Sequence, residues 1–459
     1  MEISKKAGGP APRDTIEVEP AGTPGVIEET TANRSQQRRV YLASLIGSVV
    51  EFYDFAIYGT AASLVFGTVF FASSSPAVGL IASLATFATG YVARPLGGII
   101  FGHFGDRVGR KSVLLVTLFL MGASTVLVGI LPTAAQVGTL APVLLVTLRL
   151  IQGLAVGGEW GGAVLMSVET GSQKSRGFFG SATGVGSSLG VLLASASFAA
   201  LGGLEEDQFL AWGWRLPFLA SVLLIAVGAY IRLNVDESPV FAAARERKAD
   251  DARPASAPLL ALLREQPGRL LLAIGVYCGP VMAQSIVKVF LISWGVSHAG
   301  VSRQLMLNSL TFAVAGMAVA VPLFAVLSDR IGRRAVYVPA SILFGLFAFL
   351  MFPMVGTGST VMVVLAFVIS MSILEAAALG PVGALLSELF PTRSRYTGTS
   401  LAYQFAALIG GGIGPLIAAV FVAPGGPGAI GVSTMIAVFC GLSALCTALL
   451  GDTRKVSLN

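Results

Sequence analysis

The chain has 459 residues, of which 54% are hydrophobic and only 12% charged, and its mean hydropathy is +0.80. A soluble domain carries about 25% charged residues, so this composition excludes a water-soluble globule and leaves a polytopic membrane protein. The formal charge of +6 does not point to nucleic acid, because the basic residues of membrane proteins gather in cytoplasmic loops.

Residues 1–39 are polar, rich in Pro, Gly, Glu and Thr, and lack the apolar core of a signal peptide, which predicts a disordered cytoplasmic tail. A bilayer core of roughly 30 Å needs about 20 apolar residues per helix. Twelve such segments follow: 41–70, 77–103, 112–131, 142–170, 177–202, 213–233, 270–297, 304–328, 335–354, 360–389, 397–423 and 429–450. The polar stretch 234–268 is the longest internal loop. It divides the chain into an N-terminal six-helix half (40–233), a cytoplasmic linker (234–268), a C-terminal six-helix half (269–451) and a short cytoplasmic tail (452–459). The predicted fold class is therefore an all-α polytopic membrane protein with twelve transmembrane helices in two pseudo-symmetric halves.

Two short repeats support the duplication. Gly102–Lys111 reads GHFGDRVGRK and Ala325–Arg334 reads AVLSDRIGRR, each between two apolar segments. Ser167-Val-Glu169 before Lys174-Ser-Arg176 is echoed by Ser387-Glu388 before Arg393-Ser-Arg395 at nearly the same offset. With the N-terminus placed in the cytoplasm, 25 of the 30 Lys and Arg fall on the cytoplasmic side, so both termini are predicted there. The repeated turns then form a candidate cytoplasmic gate. Gly102 and Gly109 allow tight reversal, and Asp106 can accept hydrogen bonds at the N-terminus of a helix in the other half. Arg107 or Arg110 can pair with Glu169. Asp329, Arg330 and Arg333 are the counterparts in the second copy.

Away from the helix ends, seven ionisable residues lie inside the apolar segments: Glu51, Asp54, Arg94, Arg149, Glu159, Lys288 and Glu375. Such charges are costly unless paired, which marks them as functional candidates. From a rise of about 1.5 Å per residue, Asp54 and Arg149 share one level, and Arg94 and Glu159 another. The expected pairs are Asp54 (or Glu51) with Arg149, and Arg94 with Glu159. Glu51, Asp54 and Tyr58 share a helical face, as do Arg149, Gln152 and Glu159, and Tyr277, Gln284 and Lys288. Tyr403 and Gln404 add polar tips in the eleventh segment. Asp54, Glu51, Glu159 and Glu375 are the proton-coupling candidates. Arg149, Gln152, Tyr58, Tyr277, Gln284, Lys288, Tyr403 and Gln404 are the substrate-binding candidates, with Arg149 for a carboxylate. Phe52, Tyr53 and Phe55 read as packing, with Tyr58 facing the cavity.

Other chemistries find little support. Cys278, Cys440 and Cys446 sit in apolar segments and read as small apolar residues, and only two histidines exist. No metal cluster, nucleophile elbow or nucleotide loop is present in the sequence, so neither an enzyme nor a metal or cofactor is expected, the proton serving as coupling ion. The glycines of the fifth segment (Gly177, Gly180, Gly184, Gly186, Gly190) fit either a sliding surface between halves or static packing. Gly410-Gly-Gly-Ile-Gly414-Pro415 predicts a kink, and Trp212 and Trp214 read as interfacial anchors.

GHFGDRVGRK resembles the loop 2–3 motif of the major facilitator superfamily, and AVLSDRIGRR its degenerate loop 8–9 copy. Ala325 stands where the first copy has Gly102, which implies a weaker second gate. The fourth segment, Arg149-Leu-Ile-Gln152-Gly153-Leu-Ala-Val-Gly157-Gly158-Glu159-Trp160-Gly161-Gly162, is more specific. With Glu51-Phe-Tyr-Asp54, Arg94-Pro-Leu-Gly97-Gly98, Trp212-Gly-Trp214-Arg215 and Glu237-Ser-Pro239, it resembles the metabolite:proton symporter family, most in the wording of its shikimate branch. That family also includes carriers of 2-oxoglutarate, citrate and proline/betaine. The resemblance runs from about residue 40 to 450. It implies alternating access, a central cavity lined by the first, fourth, seventh and tenth helices, and a functional monomer in the bacterial inner membrane. The implied function is proton symport of a small organic anion; the alternative is proton symport of a zwitterionic osmolyte such as proline or betaine.

Overall fold

The computed structural model describes the backbone of residues 25–72, 75–108, 110–157, 159–170, 175–234, 262, 264–391 and 394–450. Side chains are described over the same ranges except 25–36, 102–108, 110–114, 159–161, 169–170 and 231–234. Twelve helical spans follow one another: α1 (Gln37–Leu64), α2 (Pro76–Val108), α3 (Arg110–Ile130), α4 (Leu140–Val156 and Glu159–Thr170), α5 (Arg176–Leu201) and α6 (Glu206–Tyr230). The second set is α7 (Pro267–Ser297), α8 (Arg303–Ile331), α9 (Arg333–Gly356), α10 (Thr360–Glu388), α11 (Arg395–Val422) and α12 (Gly428–Leu450). Each coincides with one predicted segment, because a continuous apolar run in a bilayer must satisfy its backbone internally and only a helix does so within one segment.

The ends differ in informative ways. The helix leading into α1 begins at Gly25, inside the stretch expected to be a disordered tail. Glu, Gln and Arg there are good helix formers, and extending an existing helix needs no new nucleus. The first apolar run, expected to continue to residue 70, breaks after Leu64 and resumes as Phe66–Phe70. The linker expected at 234–268 lies almost wholly outside the described residues.

Large apolar side chains such as Leu223, Tyr230, Leu271 and Leu449 stand exposed on the outside of the bundle. In water such a belt would aggregate; in a bilayer it is the lipid-facing surface. Inside, glycines let helices approach backbone to backbone. A Cβ on Gly97 would lie 1.9 Å from the Leu154 carbonyl oxygen, and one on Gly157 would lie 2.0 Å from that of Arg94. The glycines of the two sequence motifs thus zip α2 to α4.

The fifth-helix glycines divide between the two expected roles. Gly186 and Gly190 face the Leu45 and Val49 carbonyls of α1 in the same half. Gly177, Gly180 and Gly184 face the other half, and a Cβ on Gly383 of α10 would meet the Gly180 oxygen at 2.7 Å. Trp212 is exposed as an anchor should be, but Trp214 is buried against Phe66, Phe70 and Phe218. The adjacent aromatic residues offered it a larger apolar contact than the interface could.

The C-terminal half contains three wide, π-helical stretches: Ile286–Phe290 in α7, Val368–Glu375 in α10 and Ala407–Ile413 in α11. The last falls at the predicted kink. Pro415 has no N–H to give the Gly411 carbonyl four residues earlier, and Ser285 Oγ of α7 donates to that carbonyl at 2.7 Å instead. Pro280 likewise frees the Val276 carbonyl, which accepts from the Tyr337 hydroxyl of α9. In each case a neighbouring helix supplies the donor that proline withheld.

Candidate functional site

The face shared by Glu51, Asp54 and Tyr58 exists, but it does not point to the cavity between the halves. It turns into the N-terminal half, where α2, α3 and α4 provide its partners. The Tyr58 hydroxyl donates to Thr86 Oγ1 at 2.8 Å. Phe52, Phe55 and Thr60, about one residue around the helix, line the cavity in its place. The polar side chains found hydrogen bonds inside their own half, and the aromatic ones were left to close it off.

Asp54 is buried, and its Oδ1 accepts from Thr125 Oγ1 of α3 and from Gln152 Nε2 of α4 at 3.3 Å. Gln152 Nε2 also donates to Thr125 Oγ1 at 2.8 Å, and its Oε1 accepts from Arg149 Nη1 at 3.2 Å. The expected Asp54–Arg149 pair is therefore relayed through an amide and not made directly. Arg149 is fully buried, with its guanidinium 4.2 Å from the Phe55 ring centre and 4.1 Å from that of Tyr58. Gly90 makes room for it, since a Cβ there would lie 2.5 Å from Arg149 Nε. Arg149 is not part of the cavity wall.

The cation of this half that does reach the cavity is Arg94. Its Nη2 lies 3.8 Å from Glu51 Oε1, and its guanidinium lies 3.8 Å from the Phe55 ring centre and 4.5 Å from that of Tyr91. Sequence reasoning paired Arg94 with Glu159, whose side chain lies outside the described residues; the acid found beside it is Glu51. Glu51, Asp54, Arg94 and Arg149 together carry no net charge, which a low-dielectric interior favours.

On the opposite wall the α7 face forms as expected. Lys288 Nζ donates to Gln284 Oε1, and Gln284 Nε2 donates to the Tyr277 hydroxyl at 3.1 Å. Tyr277 stacks on Tyr403 of α11 with ring centres 5.4 Å apart. All four line the cavity. Glu375 is buried in α10, with neither carboxylate oxygen hydrogen-bonded among the described residues. It lies within electrostatic reach of Lys288. Gln404 turns away from the cavity and donates to the Gly157 carbonyl of α4 at 3.0 Å, tying the halves together.

The cavity measures about 60 Å3, space for a few waters. Its wall comes from α1, α2, α5, α7, α8 and α11. The fourth and tenth helices, expected to line it, hold Arg149 and Glu375 behind that wall.

Contacts between the halves form at both ends of the bundle. At the end of the basic turns, Asp329 of α8 accepts from the Gly177 N–H at 2.9 Å and the Phe178 N–H at 3.0 Å, the free donors of the first turn of α5. Arg333 holds Asp329 at 2.6 Å and Glu388 at 3.2 Å, while Arg330 is exposed. Gly177 lets α5 approach the Ala325 carbonyl, since a Cβ there would sit 2.8 Å from its oxygen. The side chains of the first copy (Gly102, Asp106, Arg107, Gly109, Arg110) and of Glu169 lie outside the described residues.

At the opposite end, Arg303 of α8 donates to the Gly202 carbonyl at 3.3 Å and the Leu204 carbonyl at 2.8 Å, and pairs with Glu206. Gln304 donates to the Ala199 carbonyl at 2.9 Å. Sequence reasoning gave Arg303 no role and missed Thr125. A lone arginine in a short loop and a lone threonine in an apolar helix carry no distinguishing pattern.

The comparisons with known proteins agree with this architecture. Residues 40–264 match the family model of sugar (and other) transporters, and residues 282–458 that of the Major Facilitator Superfamily. An inner membrane metabolite transport protein of Escherichia coli (strain K12) is 39% identical over 432 residues, 92% of this chain and 96% of that protein. The shikimate transporter of the same organism is 38% identical, over 93% of this chain and 98% of that protein. Among solved structures, a proton:xylose symporter superimposes with TM-score 0.70 at 19% identity, over 93% of this chain and 98% of its own. The chain belongs to the major facilitator superfamily, within its group of bacterial metabolite transporters that includes the shikimate carrier.

Proposed function

We propose that this transporter carries a small organic anion, shikimate-like or another mono- or dicarboxylate, inward together with a proton by alternating access. The observation that carries this reading is that Arg94 and Lys288, one cation from each half, line the same cavity. Gln284, Tyr277 and Tyr403 add polar and aromatic contacts on the Lys288 side. The basic end of the bundle faces the cytoplasm, by the distribution of Lys and Arg. The protein works as a monomer, because each half finds its partner within one chain.

Charge balance links the two solutes. The N-terminal cluster is neutral with Glu51, Asp54, Arg94 and Arg149 all ionised. A substrate carboxylate that draws Arg94 away from Glu51 leaves the cluster one negative charge in excess, and one proton restores neutrality. Of the two acids we assign it to Asp54, whose hydrogen-bond partners Thr125 and Gln152 are neutral and which no salt bridge reaches among the described residues in either state; Glu51, once Arg94 has moved, is the alternative. Arg149 remains behind the wall as the fixed counter-charge.

Proteoliposomes loaded for uptake of radiolabelled shikimate test the reading. Asp54→Asn should keep shikimate exchange and lose accumulation driven by a pH gradient; undiminished accumulation would overturn the proton role. Arg94→Gln should raise the KM for shikimate at least tenfold. Competition with 2-oxoglutarate and betaine sorts the substrate class, and uptake of radiolabelled betaine with none of shikimate would favour a zwitterion carrier.

A further inference from the structure

Thr125 occupies an unusual position beside Asp54. Its hydroxyl has one hydrogen and three polar neighbours: Asp54 Oδ1, the Met121 carbonyl at 2.9 Å, and Gln152 Nε2 at 2.8 Å. Gln152 can only donate through Nε2, and the Met121 carbonyl can only accept. A carboxylate can only accept, but a carboxylic acid can also donate. The hydroxyl can therefore serve Asp54 in both protonation states by turning about its Cβ–Oγ1 bond.

We infer that Thr125 is a positioning residue for the proton on Asp54, donating to the carboxylate and accepting from the neutral acid. This rests on the proton role proposed above for Asp54. With Asp54 ionised, Thr125 donates to Oδ1 beside the Gln152 amide, and the Met121 carbonyl keeps its helical partner. When a hydronium ion gives a proton to Oδ1, one of its O–H bonds breaks and neutral water is left, and the acid O–H donates to Thr125 Oγ1. The threonine hydrogen then turns to the Met121 carbonyl, four residues back on the same helix. No other covalent bond changes, and every hydrogen still has an acceptor. Proton uptake thus needs no movement of the surrounding helices.

The remaining groups near Asp54 are fixed in character. Arg149 of α4 and Arg94 of α2 are the charged groups that face it, and Tyr53 and Tyr58 of its own helix are the titratable ones. None of them can both give and receive a hydrogen bond at Asp54 Oδ1 within the geometry described. The threonine methyl is retained by valine, so Thr125→Val removes the hydroxyl and little else.

Infrared titration of the purified full-length protein in lipid reads this without any substrate. The carboxylic C=O band that disappears in Asp54→Asn belongs to Asp54. In Thr125→Val, and equally in Thr125→Ala, the midpoint of that band should rise by up to about one pH unit, because the bond lost by the carboxylate is worth more than the one lost by the neutral acid. Its frequency should rise, because the neutral acid has lost its acceptor. Thr125→Ser should restore both, which a purely structural role for Thr125 would not require. An Asp54 band unchanged in midpoint and frequency by both substitutions overturns the role of Thr125 alone. A titration with no Asp54-dependent band overturns the proton reading of Asp54, and this inference with it.

Discussion

Arg303 and Asp329 stand at opposite ends of α8, and each grips one end of α5 in the other half. The span between the grips is the 26 residues of α5, roughly 39 Å of helix. Their signs suit the helix they hold: the carboxylate meets the free N–H groups at its start, and the guanidinium sits just past its end on the Gly202 and Leu204 carbonyls. With both grips made, the halves are joined at both ends of α5.

Arg303→Ala should release the end away from the basic turns. A cysteine in place of Thr60, which lines the cavity, should then react about tenfold faster with an impermeant maleimide added from that side. Tenfold is the effect of roughly one charge-assisted hydrogen bond on the open population. An unchanged rate would mean that Arg303 only decorates the loop.

Asp329→Asn should release the other end and leave the shape of the side chain intact. A cysteine replacing Ala384, buried beside Gly180 in α10, should become more reactive from the basic side. The Thr60→Cys rate from the far side should not increase. Opposite responses to the two variants are the signature of two independent clasps; parallel responses would point to general loosening.

Gly97→Ala should unfold or severely destabilise the N-terminal half, by more than about 3 kcal/mol, since the new methyl meets backbone that cannot rotate away. Gly441→Ala, where nothing lies within 4 Å, should be neutral or slightly stabilising, by up to about 1 kcal/mol. Thermal denaturation in detergent gives both values.

Ser285→Ala should cost roughly 1–3 kcal/mol, because it leaves the buried Gly411 carbonyl without a donor. The same substitution in a Pro415→Ala background should cost much less, since an alanine N–H can return to that carbonyl. Additive losses in the double variant would show that Ser285 acts elsewhere.

Much of this molecule was legible before any coordinates. The twelve spans follow from a strong physical demand, an apolar run long enough for the bilayer. The Tyr277, Gln284 and Lys288 alignment on α7 follows from helical spacing alone, and the kink before Pro415 from the chemistry of proline. The direction in which α1 turns its polar face was not legible. A repeat of three and four residues says that Glu51, Asp54 and Tyr58 go together, not whether they meet the cavity or Thr125 and Gln152 behind it. Depth along a helix aligned Arg149 with Asp54 but could not reveal that Gln152 stands between them. That Arg94 meets Glu51 was not legible either, because the pairing depends on rotation about both helix axes, which spacing leaves free.

The approach of Gly180 to Gly383 sets how the two halves can move. Where interlocked side chains meet, sliding means lifting each out of its groove and into a new rotamer, step by step, against a rough barrier. Bare backbone on bare backbone has no such teeth. At this point the halves can roll over one another smoothly, so the pace of any opening there falls to the charged clasps at the helix ends rather than to friction in the middle.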